Sequence, residues 1–308
     1  MIMDDDKKVK KVGTAAIPDE LEIEGKYSRS SLYKDAWKRL KKNKLAMLGL
    51  GIVIFLVILA IFAPLIAPYD PNARVKEDSA LGPSSQYWFG TDLLGRDILS
   101  RVVYGSRISI EVGIVAVGIS VGLGLFFGAL SGYFGRWPDA VIMRVADIFF
   151  AFPYILGAIA IMTILGSGIV NIFIAIGVLG WAYFARIFRG SILSIKNKEY
   201  IEAARALGAS NTRIIVKHIF PNAIAPIIVY ATMNVGTAII VEASLSFLGI
   251  GVQPPTPAWG KMLSESLSFI DIAPWMMLFP GLAIVITVLG FVLLGDGLRD
   301  AFDPKMKN

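Results

Sequence analysis

The chain has 308 residues, of which 55% are hydrophobic and 18% charged, with 30 glycines and a mean hydropathy of +0.64; this composition excludes a water-soluble globular protein and describes one that resides in a membrane. With no cysteine and a single histidine, His218, it cannot supply a disulfide framework, a thiol nucleophile, a zinc site, or a serine–histidine–aspartate triad with a histidine to spare. The net charge of +6 points either to nucleic acid or to loops held on the inner side of a membrane, and the positions of the basic residues decide between them.

Residues 1–30 are polar, mixed in sign and without periodicity, as a mobile tail would be. From Lys34 to Lys44, Trp37 and Leu40 stand among lysines, the pattern of either an interfacial amphipathic helix on membrane lipid or an ordinary basic flank. The first 44 residues contain no apolar core of a cleavable signal, so 1–44 is read as a cytoplasmic tail with a basic amphipathic segment. A hydrocarbon layer about 30 Å thick takes about 20 apolar residues as a helix. Six runs meet that length, near Leu45–Ala67, Ile108–Leu130, Ala140–Leu165, Ile169–Phe188, Asn222–Leu248 and Ala273–Gly295.

These runs divide the chain into a first transmembrane helix at 45–68, an external loop at 69–107, a five-span core at 108–298 and a cytoplasmic C-terminus at 299–308. Pro64, Pro68 and Pro71 end the first span, and Trp88 and Phe89 suit the headgroup level. In the second span Gly118 and Gly122, then Gly124, Gly128 and Gly132, lie one turn apart and predict close packing on both sides. Arg144 and Asp147, three residues apart, are placed to pair on one face of the third span, which Pro153 kinks. Glu242 in the fifth span either lines a path or holds two helices together. With both termini in the cytoplasm, 24 of the 30 lysines and arginines fall on the inner side and 6 on the outer, so nucleic acid is not needed as a partner to explain the charge.

Between the fourth and fifth spans, residues 191–221 are neither short nor disordered in character. Glu199 to Leu207 is strong helix-forming sequence with Tyr200, Ala203, Ala204 and Leu207 on one face. Gly208 stands where a C-terminal glycine stops a helix, Ser210 or Asn211 caps a second helix over Thr212 to Phe220, and Pro221 opens the next span. A helix, a glycine turn and a second helix at the membrane surface form a projection suited to a groove on a cytoplasmic partner.

These residues carry a resemblance. Glu202-Ala203-Ala204, Gly208 after three more residues and Pro221 after twelve more resemble the EAA loop of permease subunits of ATP-binding cassette importers, although His218 and Phe220 stand where the pattern has isoleucine and leucine. Phe89-Gly90-Thr91-Asp92-Leu93-Leu94-Gly95-Arg96-Asp97-Ile98-Leu99-Ser100-Arg101 and Glu242-Ala243-Ser244-Leu245-Ser246-Phe247-Leu248-Gly249-Ile250-Gly251-Val252-Gln253-Pro254-Pro255 are similar to blocks of the C-type subunit of dipeptide, oligopeptide and nickel permeases.

The resemblance implies an all-α integral membrane protein of six transmembrane helices, an N-terminal span plus a five-helix permease core, multi-pass in the cell membrane. It implies partners: a homologous permease subunit, two cytoplasmic ATPase subunits carrying ATP and magnesium, an external substrate-binding protein, and membrane lipid. Glu202, Ala203, Ala204, Leu207 and Gly208 are then the ATPase-docking residues. Asp92, Arg96 and Asp97 form either an external gate, a contact for the binding protein, or a folded cap in which Arg96 and Asp97 satisfy each other or loop backbone. The chain itself should be non-catalytic and hold no cofactor or metal, because neither Gly25-Lys26 nor Gly260-Lys261 sits in a phosphate-binding loop. Dipeptides or oligopeptides are the expected substrate, with nickel complexes, glutathione-like thiols and oligosaccharides as alternatives. Two other classes compete: a self-sufficient secondary transporter, and an intramembrane protease using Asp147 and Asp296.

Overall fold

A computed structural model describes residues 32–303, and within that range the regular structure is helical. The tail expected over 1–30 and residues 304–308 lie outside it. In chain order come α1 (Leu32–Leu40), α2 (Lys44–Ile61), α3 (Ala63–Ile66), α4 (Ile98–Ala129), α5 (Arg136–Ala151), α6 (Tyr154–Leu165) and α7 (Ile169–Ile195). They are followed by α8 (Glu199–Ala206), α9 (Asn211–Ile214), α10 (Phe220–Phe247), α11 (Trp259–Ser266) and α12 (Trp275–Phe302).

Five of these, α2, α4, α7, α10 and α12, are long and apolar enough to cross a membrane. The third apolar run differs from expectation: it breaks at Phe152-Pro153 into α5 and α6, which meet at 93° and count as a sixth crossing only if taken as one bent span. Proline has no N–H to continue the ladder and its preceding residue is pushed to extended geometry, as at Phe152 with φ −98° and ψ 137°. Proline is handled differently at Pro221. There α9 runs without interruption through a π turn (Ile215–Ile219) into α10, so the separate second helix expected over Thr212–Phe220 is instead the first turns of one long helix. The wider π turn gives the proline ring room against the preceding turn.

The seam between α4 and α7 is the centre of the bundle. A methyl group at Gly128 would lie 2.8 Å from the carbonyl oxygen of Ala185, and one at Gly132 would lie 2.9 Å from Cβ of Ile192. Gly124 is equally tight against Phe184, so these three glycines let the two backbones approach. Gly118 and Gly122 face open space, which corrects the expectation that the whole glycine series packs. Around this seam, α10 lies against α4, α7 and α12, while α2 packs on α12 with Gly49 against Gly290 and Leu294.

Asn43 caps α2 by accepting from the N–H groups of Leu45 and Ala46, both at 3.1 Å. Just before it, α1 buries Ala36 and Leu40 against Leu294 and Ala301 of α12, and Arg39 donates to the Asp303 carbonyl at 3.0 Å. The bundle therefore has two distinguishable ends. One carries the segment 67–97 and α11; the other carries α1, α8 and α9.

Candidate docking projection and buried charge clusters

The projection is built by local sequence. Glu199 and Glu202 lie in the first turn of α8 and Arg205 in its last, complementing the helix dipole. Gly208 adopts φ +79°, its N–H donates to Arg205 at 3.0 Å, and the Ala209 N–H donates to Ala204 at 3.1 Å. These two bonds form a Schellman turn, which glycine enters without a Cβ penalty. Ser210 then accepts from the Arg213 N–H at 3.4 Å and caps α9. At the base, Tyr133 donates to Asn211 Oδ1 at 2.8 Å and Lys196 donates to the Gly132 carbonyl at 3.0 Å, tying the projection to the end of α4.

The inward residue of α8 is Ile201, fully buried in a cluster with Ile195, Ile214 and Ile219. The face expected from sequence, Tyr200, Ala203, Ala204 and Leu207, does not pack as one: Ala204 is half-buried on the Ile201 side, whereas Tyr200, Glu202, Ala203 and Gly208 are exposed. Leu207 at the tip is 89% exposed. A rigid helix thus presents a bare leucine, small alanine and a carboxylate, seated by an isoleucine that the motif did not include.

At the opposite end, Asp92, Arg96 and Asp97 are all buried; Asp97 meets backbone, one of the expected alternatives, whereas Arg96 has other partners. Arg96 does not pair with Asp97; its Nε lies 2.6 Å from Asp92 Oδ2 and its Nη2 lies 3.0 Å from Glu265 Oε2 on α11. Asp92 Oδ1 also accepts from the N–H groups of Leu94 and Arg96, at 2.9 and 3.0 Å. Arg101 approaches Asp92 at 3.7 Å and donates to the Pro71 carbonyl at 3.1 Å. Asp97 caps α4 by accepting from the Ser100 N–H at 2.7 Å. Two carboxylates and two guanidiniums thereby lock 67–97 to α4 and α11 with charges in balance. The same segment is held by Tyr87, whose hydroxyl donates to Asp78 at 2.6 Å; that bond, with burial, pushes the phenol up to about 12. Glu265 and Arg101 complete the cluster; Arg101 closes the block noted in the sequence, whereas Glu265 was missed, since nothing local links position 265 to position 96.

Glu242 is fully buried in α10. Its Oε1 accepts from Ser246 Oγ at 2.8 Å, and Ser246 Oγ accepts from the Val252 N–H at 3.0 Å, while Oε2 has no partner. The carboxyl therefore stands at the junction where the chain leaves α10 and folds back toward α11, rather than on an open surface. There Gly260 abuts the Ala243 backbone and Gly251 abuts Ser246. Asp147 pairs with Arg186 of α7, not with Arg144. Among the described residues no three His, Asp or Glu side chains stand together as a metal site.

Residues 124–308 match the family described as binding-protein-dependent transport system inner membrane component, and residues 31–83 match the N-terminal transmembrane domain of oligopeptide transport permease C. The chain is 49% identical over 94% of its length, and 96% of the relative's, to the dipeptide transport system permease protein DppC of Alkalihalophilus pseudofirmus. It is 50% identical over 89% of its length, and 91% of the relative's, to the glutathione transport system permease protein GsiD of Escherichia coli. In fold it resembles a chain of the inward-facing MetNI methionine ABC transporter, with a TM-score of 0.53 at 21% identity, covering 66% of this chain and 97% of that one.

Proposed function

The chain belongs to the family of binding-protein-dependent transport system inner membrane components, as an ABC importer permease of the dipeptide and glutathione type, and we propose that it pairs with a homologous permease subunit to form the path for dipeptides or oligopeptides. Of the two relatives named above, the dipeptide permease is matched over the greater length, 296 residues against 276, which supports peptide over the glutathione alternative. Both termini and α8 lie in the cytoplasm, in keeping with the 24-to-6 division of basic residues. Residues 1–44 and 299–308 are then the cytoplasmic ends, and 69–107 is the external loop. ATP and magnesium are held by two separate ATPase subunits, and an external binding protein delivers the substrate.

One observation carries the docking role: α8 is a short helix, seated by Ile201 and joined by the Gly208 turn to α9, which continues into α10, and it leaves Leu207 bare at its tip. An exposed leucine between Ala206 and Gly208 fits a groove, with Glu202 set to meet a basic group at its rim. Closure of an ATPase dimer on nucleotide would pull α8, and because the Gly208 turn joins it to α9 and α9 and α10 are one helix, the pull passes through that turn into a membrane span. Alternation between inward-open and outward-open paths follows from that coupling.

The competing classes lack such support. A protease would bring Asp147 and Asp296 together, but Asp147 is committed to Arg186. A secondary transporter would leave the projection without a use. Reconstitution into proteoliposomes tests the proposal: peptide uptake should require ATP, the ATPase subunits and the binding protein together. Uptake by the permease subunits alone would refute it.

A further inference from the structure

The basic stretch ahead of the first span has no part in substrate passage or in the projection, yet α1 gives it a defined surface. Lys34, Trp37, Lys38 and Lys41 stand at i, i+3, i+4 and i+7, one face of a helix, and all four are exposed. The Lys41 N–H donates to the Trp37 carbonyl at 3.1 Å, which carries the helical register one residue past Leu40. On the opposite face Ala36 and Leu40 are buried against α12. Arg39 is held by the Asp303 carbonyl, and Asp35 is half-buried about a quarter turn from Lys34. The outer face of α1 therefore carries three ammonium groups and no carboxylate. None of the three makes an ion pair among the described residues, although Lys41 Nζ lies 5.1 Å from the centroid of the Trp37 ring.

Packing fixes the depth of this face. A methyl group at Gly297 of α12 would meet Ala46 Cβ and lie 3.2 Å from Leu40 Cδ1, so the end of α1 and the first turn of α2 meet α12 at one level. Leu45 and Leu48, both exposed, mark the start of the apolar layer there. α12 ends at Phe302, about 8 Å of helix beyond Gly297. Held against that last stretch, α1 lies within the headgroup layer, which is about 5–8 Å deep on each side of the hydrocarbon.

We infer, on the inward orientation proposed above, that the Lys34–Trp37–Lys38–Lys41 face of α1 binds the anionic phospholipid headgroups of the inner leaflet. Phosphatidylcholine offers each ammonium a phosphate beside a competing choline, whereas phosphatidylglycerol offers the phosphate alone. The Trp37 ring suits the same layer, with its apolar body toward the acyl chains and its N–H toward water. A lipid surface is favoured over the ATPase because α1 is fixed beside the first turn of α2, at the edge of the apolar layer. Held by lipid on one face and by α12 on the other, α1 pins the inner ends of α2 and α12 to the leaflet.

The chain has no cysteine, so Lys42→Cys, exposed beside this face, carries a single bimane label with cysteine-free partner subunits. The importer with its ATPase subunits is placed in phosphatidylcholine nanodiscs holding rising fractions of phosphatidylglycerol or phosphatidylcholine spin-labelled near the headgroup, and quenching is read. Phosphatidylglycerol should quench at the lower mole fraction. A lysine at an anionic surface is worth about fivefold, so Lys34→Gln, Lys38→Gln and Lys41→Gln together should raise its half-quenching fraction at least tenfold. Removal of equal charge by Arg74→Gln, Lys76→Gln and Arg107→Gln should leave it unchanged. Equal quenching by the two lipids, or an unchanged half-quenching fraction in the lysine variant, would overturn the lipid face. Weakened ATPase binding by the lysine variant with its lipid selectivity intact would overturn it in favour of a protein partner. Reaction of the unlabelled thiol with an impermeant reagent from outside intact cells would refute the inward orientation itself, whereas equal quenching with that thiol shielded refutes the lipid face alone.

Discussion

Ile201 in α8 and Leu207 at its C-terminal cap lie six residues apart, and their substitution to alanine should fail in opposite ways. Leu207→Ala removes a side chain that is 89% exposed in the subunit, so the stability of the permease alone should stay within about 0.5 kcal/mol. If docking buries that leucine, the three lost carbons are worth about 0.8 kcal/mol each, or about 2.4 kcal/mol in all. At about 1.4 kcal/mol per tenfold, ATPase affinity should then weaken about 50-fold. Ile201→Ala instead empties a fully buried site among Ile195, Ile214 and Ile219 and should cost about 2–5 kcal/mol of folding stability. The assay measures thermal unfolding of the detergent-purified permease beside equilibrium binding of the ATPase subunits in nanodiscs. Leu207→Ala with unchanged ATPase affinity would refute the assignment of the tip as the contact. Ile201→Ala with an unchanged melting temperature would refute the assignment of the seat.

Three other perturbations follow from the geometry. Gly208→Ala places a Cβ on a residue at φ +79° with open space around it, so only the backbone penalty of about 1–2 kcal/mol should appear, and Gly208→Asn should recover part of it in thermal unfolding. Gly128→Val forces α4 and α7 apart and should cost about 1–3 kcal/mol, whereas Gly118→Ala, with nothing nearby, should not lower the melting temperature of the isolated subunit; equal effects would contradict the seam. Arg96→Met strands Asp92 and weakens the hold on Glu265, which should cost about 3–5 kcal/mol and expose 67–97 to protease, and intact resistance would contradict the lock.

The apolar runs could be read directly because a membrane span needs length and little else, and five of the six runs became single long helices. The 93° break could not, since Pro153 marks where a helix yields and not by how much; tertiary packing sets the angle. The projection was legible as helix, glycine turn and cap from Gly208 and Ser210. Its inward face was not, because an eight-residue helix with Tyr200, Ile201, Ala203 and Ala204 in close succession has apolar character on more than one side. Likewise the glycine series marked close packing without saying which members meet a neighbour. The partners of Arg96 and Asp147 were hidden for another reason: Glu265 and Arg186 come from other helices, and charge pairing across the fold leaves no local spacing to detect.

The central claim is that α8 is the contact with the ATPase, and Ala203→Cys tests it most directly. As the only thiol in the chain, exposed on α8 beside Glu202, it should cross-link to a single cysteine in the ATPase groove with a yield that changes between nucleotide-free and ATP-bound states. Reaction of position 203 with an impermeant reagent from outside intact cells, or a cross-linked species that forms without the ATPase, would contradict the account.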